Sequence, residues 1–311
     1  MKLIFFGLGS IGERQARLLQ DNFEHELYAF RSGKNSEKNK LGIKEVHTLE
    51  EIEKINPDVA FITNPTKLHI STALQCADQG MSLFIEKPLS SSKEDVQKLM
   101  DTANSKKLSL YVAYCMRFHP VIKWLKEHLK NNKPLHTSVM VSSYLPNWRE
   151  GIDHLTHYSA IKESGGGVLL ELSHELDYLY YLFGTPTLIE AVSSKAGSVT
   201  TDAEDFADIL LSFSGNLNCN LHMNFLSRLD RREMILDFED HTVVANLAES
   251  KVTILSDGEA ELKKFAFERD DMYLEQLNYF FDNLNNPEIM NGPDESSKFL
   301  NTLMEIKEAV K

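Results

Sequence analysis

Through the first third of the chain, short apolar runs alternate with longer stretches whose apolar residues recur at helical spacing. The runs are Leu3 to Phe6, Leu27 to Phe30, Val59 to Ile62, Leu83 to Ile85 and Leu108 to Ala113. Strands buried on both faces read as unbroken apolar runs, and parallel neighbours need a crossover, usually a helix. Helical patterns fill the gaps from Gly12 to Leu19 and from His69 to Gln79, which stops at Gly80. A third runs to about Ala103 behind Ser91-Ser92-Lys93-Glu94, which has capping-box spacing. The rhythm changes at Arg117-Phe118-His119-Pro120. After a helix from Val121 to Leu129, extended segments follow at His136 to Tyr144, Leu188 to Ser194, Ala207 to Phe213, Leu217 to Phe225, Glu233 to Phe238, Thr242 to Leu247 and Val252 to Leu255. One helix, Gly167 to Phe183, interrupts them, and Met272 to Leu284 and Ser296 to Val310 close the chain. The pattern predicts an α/β protein: a parallel-sheet domain over 1–119 and an α+β domain with a largely antiparallel sheet over 120–311. Strands such as Asn218 to Asn224 alternate polar and apolar residues, leaving a sheet face open to pair with another subunit.

Composition narrows this picture. A length of 311 residues favours two domains, and 42% hydrophobic with 25% charged residues is ordinary for a globular protein. The net charge of −13 opposes phosphate backbones, so nucleic acid is not an expected partner. Cys76, Cys115 and Cys219 are odd in number and form no CxxC pair, which fits a reducing, cytoplasmic compartment and argues against a structural zinc. The apolar run after Met1 is too short for a signal peptide, and no run approaches the ~20 residues that span a bilayer.

Candidate chemistry begins at Gly7-Leu8-Gly9-Ser10-Ile11-Gly12, between a strand and a helix. In that context the glycines allow a tight turn and bring a pyrophosphate to the helix N-terminus, as in a Rossmann dinucleotide site. NAD-binding versions commonly end the second strand with an acid; here stand Phe30-Arg31-Ser32-Gly33-Lys34. Arg31 and Ser32 could hold a 2′-phosphate, with Lys34 adding charge, which favours NADP over NAD; Arg31 could instead stack on adenine. Glu86-Lys87-Pro88 ends a buried strand, where a lysine could polarise a substrate hydroxyl or merely form an ion pair. Behind Gly165-Gly166-Gly167, the helical spacing of Glu171, His174 and Tyr178 places them on one face, as an acid/base site or a satisfied structural network. Glu171 and His174 lack a third ligand, so a metal is not expected.

Together and in this order, these clusters resemble the Gfo/Idh/MocA family of NAD(P)-dependent oxidoreductases over essentially the whole chain. The set comprises the glycine loop, Asn64-Pro65-Thr66 with His69, Glu86-Lys87-Pro88, Arg117-Phe118-His119-Pro120 and the segment from Gly165 to Asp177. The resemblance implies a Rossmann domain joined to an open-faced sheet that often mediates oligomerisation, here as a homodimer or homotetramer. It implies sugars, cyclitols or related polyols as substrates. It places Gly7, Gly9, Ser10, Ile11, Gly12, Arg31, Ser32, Asn64, Pro65, Thr66, His69, Glu86 and Lys87 along the cofactor. Lys87 would be the catalytic lysine and His174 the acid/base; Glu171 stands where the family commonly has aspartate and would orient His174 or the substrate. Arg117, Tyr144, Trp148, Arg149, Tyr158, Lys162 and Tyr178 are the candidates for the substrate surface. The expected reaction is hydride transfer between nicotinamide and a CH–OH carbon. Its rivals are a non-sugar substrate such as an imine, a redox-neutral reaction with recycled cofactor, and a cofactor-binding regulator without turnover.

Overall fold

In a computed structural model describing residues 1–31, 33, 39–149, 151 and 153–309, the chain divides into two units. The first comprises residues 1–114 and 270–300, the second 115–269 and 301–311. Ser32 and Lys34 lie outside the described residues, as does Val310 at the expected end of the last helix.

The first unit is built on β1 (Lys2–Phe6), β2 (Glu26–Phe30), β3 (Lys44–Val46), β4 (Val59–Ile62), β5 (Ser82–Glu86) and β6 (Leu110–Ala113). They form one parallel sheet in the order β3-β2-β1-β4-β5-β6. The crossovers carry α1 (Ser10–Asn22), α2 (Leu49–Ile55), α3 (His69–Asp78) and α4 (Val96–Ser105). Strand order reverses between β1 and β4, and the crevice beyond the carboxyl ends at such a point is where ligands bind in open parallel sheets. The capping box expected at Ser91–Glu94 does not form: α4 starts at Val96 behind a left-handed Asp95. A capping box instead opens α2, where the Thr48 hydroxyl accepts from Glu51 N and the Glu51 carboxylate accepts from Thr48 N.

The sequence pattern assigns everything after residue 119 to a second domain, whereas most of α8 (Arg269–Asp282) groups with the first unit. The physical reason is aromatic packing. Phe280 lies edge-on to Phe84 at 5.3 Å and Phe61 at 6.3 Å, and Gln276 donates to the Tyr111 hydroxyl at 3.2 Å. Phe280 is fully buried, which contributes roughly 2–3 kcal/mol.

The second unit begins with α5 (Pro120–His128), whose first turn His119 caps by accepting from Val121 N. Its strands are β7 (His136–Ser142), β8 (Leu188–Ser194), β9 (Phe206–Ser212), β10 (Asn218–Asn224), β11 (Arg231–Asp237), β12 (Thr242–Asn246), β13 (Lys251–Ser256) and β14 (Glu259–Lys264). They order as β14-β13-β12-β11-β7-β10-β9-β8, antiparallel except for the parallel β7–β10 pair. Alternate residues such as Ile209, Leu221 and Met234 are buried. The opposite face, with Met140, Leu210, His222 and Ile235, lines an open groove of about 810 Å³. Charged β14 forms one edge, which discourages strand addition there. The single helix expected over 167–183 is two, α6 (Val168–Glu171) and α7 (Ser173–Phe183), broken at Leu172. The last helix, α9 (Pro293–Ala309), follows.

Candidate active site

In the first unit, the glycine loop joins β1 to α1. Gly7 has φ +109°, and a Cβ there would lie 2.7 Å from Asn64 N and Thr63 O, so only glycine fits without strain. A Cβ on Gly12 would lie 2.3 Å from the Gly7 carbonyl, so this glycine permits α1 to start against the loop. Gly9 is different: a Cβ there would meet nothing within 4 Å, leaving open space beside the backbone. The first hydrogen bond within α1 runs from Glu13 N to Gly9 O, so the N–H groups of Ser10, Ile11 and Gly12 precede the helical ladder. These amides, with the positive end of the helix dipole, suit a diphosphate.

Asn64 follows β4. Its amide nitrogen donates to the Thr72 hydroxyl, while its buried Oδ1 has no partner among the described residues, leaving an acceptor available to a carboxamide-bearing ligand. Pro65 is exposed and Thr66 buried. His69 is 1% exposed, and its ring nitrogens lie 2.9 Å from the carbonyl oxygens of Asn64 and Pro88. Burial pulls its pKa down. A neutral ring carries one N–H, so it donates to one of these carbonyls while lying against the other, and stands as a strut between the turns after β4 and β5. Glu86 is likewise buried: it accepts from Gln15 Nε2 of α1 at 2.9 Å and from its neighbour Lys87 N. Burial pushes the Glu86 carboxyl up. Lys87 stands half-buried at the carboxyl end of β5. Arg31 lies 3.6 Å from Glu45 of β3, whose carboxylate is held low first by the Asn39 side-chain amide.

In the second unit, short helical turns at Leu145–Asn147, His154–Thr156, Tyr158–Ala160 and Lys162–Ser164 precede α6 and α7. A Cβ on Gly166 would lie 2.3 Å from the Tyr158 carbonyl, and Gly167 takes φ +109° against the Glu204 carboxylate. Glu171, 8% exposed, accepts from the Ser159 hydroxyl at 3.0 Å. The same hydroxyl lies 3.0 Å from His157 Nδ1. The His157 ring packs tilted against Tyr158, and the Arg149 guanidinium sits 5.7 Å from the centre of the Tyr158 ring. Burial, then the Arg149 charge, pulls the His157 pKa down to about 4. His174 is half-buried in the first turn of α7. Trp148 donates to Ser143 and meets Phe225 edge-on. Tyr144 accepts from Arg228, whose guanidinium also covers its ring at 4.1 Å. Lys162 is exposed, with its backbone N bound to Asp202.

Two expected substrate residues are placed elsewhere. Arg117 makes two parallel hydrogen bonds to Asp177, Nε to Oδ2 at 2.9 Å and an Nη to Oδ1 at 2.7 Å, with both side chains 0% exposed. Tyr178 is 0% exposed, and its hydroxyl finds no partner among the described residues. Tyr178 follows His174 by one turn within α7 but is wholly buried, whereas the break at Leu172 puts Glu171 in a separate helix.

Residues 1–114 match the model of the GFO/IDH/MocA oxidoreductase family's NAD-binding Rossmann fold, and residues 133–244 match that family's C-terminal domain. The chain belongs to the GFO/IDH/MocA oxidoreductase family. It is an oxidoreductase with an NAD-binding Rossmann unit. It is 26% identical to a myo-inositol 2-dehydrogenase of Thermotoga maritima, over 94% of this chain and 92% of that one. Two solved structures show the same fold. UDP-N-acetylglucosamine 3-dehydrogenase GnnA from Acidithiobacillus ferrooxidans aligns with a TM-score of 0.81 at 18% identity, covering 100% of this chain and 97% of that one. Levoglucosan dehydrogenase, in complex with NADH and levoglucosan, aligns with a TM-score of 0.85 at 14% identity, covering 99% and 96%.

As a GFO/IDH/MocA member the chain has supporting residues that the sequence pattern does not reveal. Gln15 anchors Glu86, Glu45 faces Arg31, Asp177 holds Arg117, and His157 and Ser159 support Glu171. None lies at a diagnostic spacing from its partner. Among the described residues no helix is long and apolar enough to cross a membrane.

Proposed function

We propose that this GFO/IDH/MocA protein is a dehydrogenase or reductase moving hydride between a nicotinamide dinucleotide and a CH–OH or C=O carbon of a sugar-like polyol. The observation that carries this reading is the shared carboxyl edge of one sheet. There the anion cradle after β1 and Lys87 after β5 flank β4, whose following loop holds the buried Asn64 acceptor that has no partner among the described residues. Gly7, Gly9, Ser10, Ile11 and Gly12 would hold the pyrophosphate, with Asn64, Pro65 and Thr66 along the nicotinamide half. When bound, the nicotinamide accepts or returns the hydride. Lys87 hydrogen-bonds the substrate oxygen and stabilises it as its charge changes, while Glu86 and Gln15 hold the turn beneath it. His174 takes or returns the hydroxyl proton, and Glu171 orients it. Arg149 beside Tyr158 supplies charge for an anionic substituent, with Tyr144, Trp148 and Lys162 lining the polar surface. Myo-inositol, levoglucosan and a nucleotide sugar, named for the relatives, define the substrate class to test. NADP is the proposed cofactor, through Arg31. Its pairing with Glu45 means that a 2′-phosphate must compete with a carboxylate, so the preference is modest.

The open face of the second sheet is the proposed homodimer or homotetramer surface. Its groove mixes Leu210, Ile235 and Met140 with polar neighbours, as a subunit interface would require. Cys76, Cys115 and Cys219 are buried and form no disulfide among the described residues, which is consistent with a reducing, cytoplasmic setting. The decisive experiment is a panel of cyclitols, anhydrosugars, sugar acids and nucleotide sugars with NAD and NADP in both directions, following nicotinamide absorbance. Turnover abolished by Lys87→Ala and by His174→Ala supports the reading. Product without net absorbance change indicates a redox-neutral reaction, and wild-type turnover surviving both substitutions overturns the mechanism.

A further inference from the structure

Oxidising an alcohol releases one proton for each hydride transferred, and reducing a carbonyl takes one up. A half-buried acid/base group must therefore exchange a proton with water every cycle. The second unit contains a hydrogen-bonded chain suited to that exchange. Ser159 is fully buried, and its single hydroxyl proton lies between two bases, Glu171 Oε2 and His157 Nδ1, each 3.0 Å from Oγ. Nδ1 also accepts from the backbone N–H of Ser159 at 3.3 Å, which aims the imidazole at this hydroxyl and caps the turn from Tyr158 to Ala160. His157 itself is half-exposed, so the chain runs from buried Glu171 to a ring that reaches water.

We propose that His157 and Ser159 form a proton relay between solvent and Glu171, serving the acid/base step at His174 three residues farther along. The proposal rests on the reading above of His174 and Glu171. Its proton balance is simple. In this scheme His174 hands the substrate proton to Glu171, Oε2–H passes it to Ser159 Oγ as the seryl proton passes to His157 Nδ1, and the imidazole then loses its Nε2 proton to water. Uptake runs in reverse. No bond other than O–H and N–H changes, and no redox partner is needed. His157 suits the outer position because burial and Arg149 keep it mostly neutral near pH 7, so it loses a received proton readily. The charged or titratable groups around it are Arg149, Tyr158 and, through Ser159, Glu171. Both residues act through Glu171 and are positioning residues rather than catalytic ones.

Two measurements test this. In the first, histidine 15N shifts are titrated by NMR in the full-length protein without substrate. Glu171→Gln should lower the His157 pKa by about half a unit or more in the wild-type background and leave it unmoved in Ser159→Ala. An equal response in both backgrounds overturns the chain. In the second, with a panel compound that the wild type turns over, His157→Ala should lower kcat about tenfold with KM within about twofold. Rising imidazole buffer should restore it, and Ser159→Ala should fall similarly without rescue. A kcat indifferent to His157→Ala, or a loss that imidazole does not relieve, refutes the relay while leaving the oxidoreductase reading intact. If the wild type turns over nothing, that reading fails, and the titration still decides whether the three groups are linked.

Discussion

Arg117 offers the sharpest division between a ligand-binding and a structural residue. Its guanidinium and the Asp177 carboxylate are wholly buried, joined by two parallel hydrogen bonds, with the Tyr181 ring 4.8 Å beneath the cation. Removing one partner strands a buried charge, which costs about 3–5 kcal/mol, whereas replacing both by apolar residues of similar volume is often near neutral. For a unit of this size each kcal/mol lowers the melting temperature by roughly 2–4 °C. Arg117→Met and Asp177→Asn should therefore each lower it by on the order of 10 °C. The double variant Arg117→Met/Asp177→Leu should recover a large part of that loss. Thermal unfolding followed by near-UV circular dichroism, which reads Tyr and Trp packing, measures all three. A stable Arg117→Met protein whose defect is confined to a raised KM would refute the reasoning and return Arg117 to the substrate surface.

Other expectations follow from the same geometry. Gly7→Ala should weaken NADH and NADPH binding alike and destabilise the first unit by about 1–3 kcal/mol, read by cofactor fluorescence and thermal shift. Arg31→Ala should weaken NADPH about tenfold while leaving NADH nearly unchanged, and Glu45→Gln should shift the preference toward NADPH; equal affinities untouched by either change would remove the phosphate role. His119, buried and with its pKa pulled down to about 4, stays neutral in the fold while the unfolded chain takes up a proton below about 6.5. Stability should therefore fall as pH drops from about 6.5 to 4, and His119→Asn, which retains the helix cap, should flatten that slope in melting curves. If the open sheet face is the proposed subunit interface, Leu210→Glu should lower the mass seen in light scattering to that of a monomer; an oligomeric wild type whose mass the change leaves intact would place the interface elsewhere.

The elements most legible in the sequence are those whose pattern has a single physical explanation. Val59 to Ile62 and Leu188 to Ser194 are found at the expected residues, one an unbroken apolar run and the other a strand in one of the recognised extended segments. Lys44–Val46 is too short and polar to stand out, and Glu259–Lys264 is a charged edge strand with no buried face to betray it. The helical pattern of α8 is visible, but an apolar stripe does not say which sheet it will cover. Capping-box spacing occurs at both Ser91 and Thr48, and only the second is followed by a helix in the required position. The candidate site residues that the sequence offers, the glycine loop, Lys87 and His174, each sit in or beside the turn that carries their motif. Partners recruited from afar were not legible, because Asp177 is 60 residues from Arg117 and Glu86 is 71 from Gln15. Pairings of that kind are decided by the fold, after the motif is already written.

The chain leaves the nucleotide-binding unit at Tyr114 and returns to it only at Asp270. During synthesis the parallel sheet is therefore complete long before its α8 cover emerges from the ribosome. Until then Phe61, Phe84 and Tyr111, all wholly buried in the finished protein, lack the aromatic lid supplied by Phe280. Such sticky surface makes a nascent chain a substrate for chaperones and aggregation alike. A stop codon anywhere before Asp270 would thus damage the NAD-binding unit as surely as the second one.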